Sequence, residues 1–113
     1  MDKKEIKKRS TISIDVGVDE NHVPIELKWK AQDNDEGGKC KALMLALWDE
    51  KEDNTIRIDL WNKDMSVYDM QRFFHQSFLT MADTYARATG QSEISAEIRN
   101  FAKDFAERTK IIS

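Results

Sequence analysis

The chain has 113 residues, 40% of them hydrophobic and 35% charged, and a net charge of −3. That is the size and balance of one soluble domain, able to bury a core without disulfides or metal and too short for a second core. The acidic balance argues against a nucleic-acid protein. The lone Cys40 excludes an internal disulfide, and no segment approaches the roughly 18 apolar residues of a membrane span.

Charge is uneven along the chain. Residues 1–10, "MDKKEIKKRS", hold five basic and two acidic residues and read as a flexible basic arm. No long apolar run follows them, so no secretory signal is expected and the cytoplasm is the expected compartment. "TISIDVGV" then alternates, with Ile12, Ile14, Val16 and Val18 on one side and Ser13, Asp15 and Gly17 on the other. That period of two predicts a half-buried strand. "DENHVP" turns the chain, and "IELKWK" repeats the pattern with Ile25, Leu27 and Trp29 inward. Pro24 suits the start of this second strand because it has no N–H for a ladder.

"QDNDEGG" reads as an acidic loop. In "KCKALMLALWDE" the period changes: Cys40, Leu43, Met44, Leu47 and Trp48 fall at i, i+3, i+4, i+7 and i+8, which predicts an amphipathic helix. "TIRIDLW" returns to period two, with Ile56, Ile58 and Leu60 inward and Arg57, Asp59 and Trp61 outward. After the corner Asn62–Met65, Ser66 and Asp69 resemble a capping box. They open a helix to about Ala88, closed by Gly90. A last helix, capped by Ser92, buries Ile94, Ile98, Phe101, Ala102 and Phe105. The expected fold is α+β over a single domain, residues 11–113. It has a three-stranded, mostly antiparallel sheet with three amphipathic helices packed on one face, in the order β-β-α-β-α-α. With the third strand beside the first, the strand order is 2-1-3.

Catalytic constellations are sparse. Cys40 on an apolar stripe reads as a buried thiol, and no G-x-S-x-G elbow is present. His22 and His75 stand alone with no His or Cys four residues away, so no metal and no cofactor is expected. The acidic runs at 33–36 and 49–53 read as solvated surface, not as general acids. What remains is a polar sheet face carrying Arg57, Asp59 and Trp61 with Glu26, Lys28 and Lys30. Asp59 is expected to face solvent alongside Arg57 and Lys28 and to make a cross-strand ion pair there. Trp61 either anchors a protein interface or folds back under the Asn62–Met65 turn.

The segments "DENHVPIELKW", "KALMLALWDEKEDNTIRIDLWNKDM" and "FFHQSFLTMADTYARAT" resemble the GldC family of gliding-motility proteins. The resemblance covers the chain beyond the basic arm and brings no catalytic motif. It implies a small cytoplasmic protein associated with the gliding machinery and leaves the molecular activity open. The favoured expectation is a non-enzymatic accessory protein that binds a protein of the gliding or associated secretion apparatus. Trp61, Arg57, Lys28 and Asp59 are the candidate contact residues. The alternatives are a nucleic-acid or acidic-membrane binder acting through the basic arm and, last, a small-molecule binder. Free strand edges also leave room for a homodimer.

Overall fold

Alternation sets the first half of the molecule. In the computed structural model, which describes residues 4–111, β1 (Ile12–Val18) and β2 (Pro24–Ala31) form the expected hairpin. Ile14 faces Trp29 and Val16 faces Leu27 on one side, while Ser13 faces Lys30 and Asp15 faces Lys28 on the other. A register shift between Gly17 and Val18 marks a bulge at the turn end. The segment read as an acidic loop instead runs into a third strand, β3 (Glu36–Cys40), antiparallel to β2. Cys40, half-buried, therefore lies opposite Leu27 on a strand and not on a helix.

The fold expectation is corrected from here. "ALMLALWD" is not a helix but β4 (Ala42–Asp49), paired antiparallel with β5 (Asn54–Trp61). Leu43, Leu45 and Leu47 meet Leu60, Ile58 and Ile56 on one apolar face, on which Leu47 and the isoleucines expected inward, Ile56 and Ile58, are exposed. Met44, Ala46 and Trp48 fall on the other face. Both faces of β4 are apolar, so the period of two is hidden and five residues happen to match a helical stripe. The protein thus has five strands in two sheets, ordered β1-β2-β3 and β4-β5, in place of one three-stranded sheet ordered 2-1-3. It has two helices, not three: α1 (Val67–Thr89) and α2 (Ser92–Arg108).

The chain divides into two compact units, Met1–Met65 and Ser66–Ser113. In the strand unit, acidic side chains build the turns. The Asp19 carboxylate accepts the N–H groups of Asn21 (2.8 Å) and Val23 (3.1 Å), and Asp49 accepts that of Glu52 (2.7 Å). Each hairpin turn contains a non-glycine residue at positive φ: His22, Asp35 and Asp53. The runs read as mere solvated surface are thus partly structural acceptors. The described part of the basic arm, residues 4–10, has no regular secondary structure. It reaches Asp33 through Lys8 (3.8 Å) and through a hydrogen bond from the Ser10 hydroxyl. Residues 1–3 of the arm lie outside the described residues.

In the helical unit, α1 begins as expected. The Ser66 Oγ accepts the Asp69 N–H at 3.0 Å, and Gly90 at φ 72° ends the helix by donating to the Ala86 carbonyl. Helix α2 differs in detail, because its N-cap is Gln91 and Ser92 is already its first residue. Small residues let the helices approach. Ala82, Ser95 and Ala102 are buried, and the Ser95 hydroxyl donates to the Ala82 carbonyl at 2.7 Å. Beside them Phe78 packs edge-on against Phe101 and Phe105, each at 5.3 Å between ring centroids.

Candidate interaction surface

The outer face of the β4–β5 ribbon follows from its register. Trp61 lies opposite Ala42, Asp59 opposite Met44, Arg57 opposite Ala46, and Thr55 opposite Trp48. At its centre Arg57 grips Asp59 on the same strand with two hydrogen bonds, Nε–Oδ2 at 3.1 Å and Nη2–Oδ1 at 2.9 Å. The hydrogen bond to Asp59, aided by its charge, raises the Arg57 pKa further above its ordinary value. The pair presents a fixed, planar polar element. Trp48 and Trp61 stand at either end of the face, roughly 20 Å apart along the strands. They are 69% and 55% exposed.

Three of the four candidate residues, Arg57, Asp59 and Trp61, therefore share one face. Lys28 does not join them. It sits on β2, in the other sheet, across from Asp15 and Lys39, and pairs with Glu26 at 3.6 Å. Glu26 also meets Lys39 at 3.3 Å; that contact first, then the charge of Lys28, holds its carboxyl below its ordinary value. The cross-strand ion pair expected of Asp59 is not formed; Asp59 pairs instead with Arg57 on its own strand, and Lys28 with Glu26.

Trp48 was missed in the sequence because its segment reads as a helix. The alternation Met44–Ala46–Trp48 inside "LMLALW" is the signal that could have placed it.

The corner after β5 explains why Trp61 stays outside. Asn62, only 7% exposed, donates its N–H to the Lys41 carbonyl at 2.8 Å. Its side-chain oxygen accepts the Asp64 N–H at 3.0 Å, closing an Asx turn. Asn62, not Trp61, fills the space under the turn. Trp61 instead borders a shallow groove of about 290 Å3 with Asp59, Leu60 and the β1–β2 turn residues His22, Val23 and Pro24. Among the described residues no three His, Cys, Asp or Glu side chains come close enough to hold a metal ion. No described helix is long and apolar enough to cross a membrane.

The family model described as "Gliding motility-associated protein GldC-like" matches residues 24–111, from the start of β2 to just past α2. No curated protein and no solved structure matches the chain.

Proposed function

The chain belongs to the GldC-like family of gliding motility-associated proteins, and from that premise we propose that it is a non-enzymatic accessory protein of the gliding machinery. It acts in the cytoplasm by binding a protein of that apparatus. The observation that carries this reading is the outer face of the β4–β5 ribbon, where exposed Trp48 and Trp61 flank the Arg57–Asp59 pair. Large aromatic side chains and an arginine are the residues that dominate binding energy when a partner desolvates them. Truncating one such tryptophan typically costs on the order of 2 kcal/mol of affinity.

The test is affinity capture from lysate of the source cells, read by mass spectrometry. Four baits run in parallel: wild type, Trp48→Ala, the double variant Trp61→Ala with Arg57→Glu, and a chain lacking residues 1–9. Wild type and the arm deletion are expected to recover a gliding-apparatus component that both ribbon variants lose. If the arm deletion alone loses it, binding belongs to the basic arm and the ribbon reading falls.

A further inference from the structure

The helical unit carries a second feature, independent of the ribbon face. Residues 66–113 hold six basic and six acidic side chains, so the unit is neutral as a whole. Its charges are not spread evenly. A groove of about 580 Å3 runs along α1 and α2, walled by Arg72, Arg99 and Lys103 with His75, and no carboxylate lines it. Leu79, Ala106 and Ile111 give it an apolar floor.

Two of the cations are held in place from outside the groove. Asp83 pairs with Arg99, and Asp69 lies 3.9 Å from Arg72, whose guanidinium also sits 5.8 Å over the Tyr68 ring. Neither carboxylate is part of the lining. Lys103 makes no ion pair among the described residues. Arg99 and Lys103 are one turn apart on α2, so their charges stand side by side.

We infer that this groove binds an acidic segment of a partner protein, its carboxylates on Arg72, Arg99 and Lys103 and its apolar side chains on Leu79 and Ile111. Shape supports a linear occupant. From Tyr68 to Leu79 the groove follows α1 for roughly 16 Å, the reach of about five extended residues. Charge supports an acidic one, since a cation-lined groove in an otherwise acidic chain attracts and orients negative partners. Arg72 sits over one face of the Tyr68 ring, which takes that face from base stacking.

The experiment uses a display library of random dodecapeptides selected on the full chain. Recovered sequences are expected to be enriched in Asp and Glu relative to the input. Synthetic versions, titrated by fluorescence anisotropy, are expected to bind Arg72→Glu/Lys103→Glu at least tenfold more weakly than wild type. The variant Lys41→Glu/Lys51→Glu, with the same net charge change elsewhere, is expected to stay within twofold. If the first variant melts abnormally by circular dichroism, Arg72→Gln/Lys103→Gln takes its place. No acidic enrichment, or equal weakening by both charge variants, overturns the inference. Displacement of the peptide by tripolyphosphate at lower concentration than by a free acidic peptide assigns the groove to phosphate instead. Recovery of peptides copying this chain's own acidic loops assigns it to a second copy.

Discussion

The Asp19 carboxylate receives the Lys63 ammonium at 3.0 Å and so ties the β1–β2 turn to the corner that follows β5. The same carboxylate already accepts the Asn21 and Val23 N–H groups. The Val23 hydrogen bond, then Lys63, hold its pKa below the ordinary 3.8. A carboxyl depressed in the folded state adds stability that is present above its unfolded pKa and lost as pH falls through the folded one. Wild type is therefore expected to melt higher than Asp19→Asn at pH 7. The gap should begin to shrink as pH falls past about 3.8 and close only below the depressed folded value. Thermal melts of both proteins across that range are the check, and a gap that persists in acid would refute the assignment.

Gly37 and Gly38 are neighbours in β3 with opposite tolerance. A Cβ on Gly37 would lie 2.5 Å from the Trp29 carbonyl oxygen and 3.2 Å from the Lys30 Cα, both backbone atoms. On Gly38 the nearest heavy atom is the Trp29 indole nitrogen at 3.9 Å. Gly37→Ala is expected to cost about 2 kcal/mol through forced strand displacement. Gly38→Ala should stay within about 0.5 kcal/mol of wild type. Urea denaturation of the two variants decides it.

Ser66 holds the first turn of α1 through its hydroxyl. Ser66→Ala is expected to lose about 1 kcal/mol. Ser66→Asp should retain stability, because a carboxylate also accepts the orphan N–H and suits the helix N-terminus. No loss in Ser66→Ala, measured by thermal melting, would mean that the cap is dispensable.

Ala82 on α1 is fully buried where Ser95 of α2 donates to its carbonyl. Ala82→Leu is expected to destabilise by about 1–3 kcal/mol through overpacking. Ala88→Leu, at an exposed position on the same helix, should change stability by less than about 0.5 kcal/mol. Denaturation midpoints of the pair test this.

The parts of the fold that were legible from sequence are those where local pattern alone sets the element, although Ile12, Ile14, Val16 and Val18, expected on a half-buried face, are exposed. Ile12–Val18 and Pro24–Ala31 alternate because one face is apolar and the other carries Glu26, Lys28 and Lys30. Ser66 and Gly90 announce both ends of α1 by chemistry that needs no tertiary partner. The segment Ala42–Asp49 was not legible, because its leucines, alanines and methionine are strong helix formers. Only pairing with Asn54–Trp61 makes it a strand. That one override removes a helix, splits the sheet and moves Trp48 from a supposed core stripe to the exposed face. It also explains Lys28: with a single expected sheet, its polar face and that of Arg57 had to coincide.

Every pairing in the two sheets and the helical hairpin joins elements that are next to each other in the chain: β1 with β2, β2 with β3, β4 with β5, α1 with α2. No strand waits for a distant partner. Topologies of such low contact order fold quickly, since little loop entropy is lost before contacts form. On a ribosome adding roughly 5–20 residues per second, each hairpin can close as soon as its second arm emerges. Newly made chains should therefore assemble stepwise from the N-terminus.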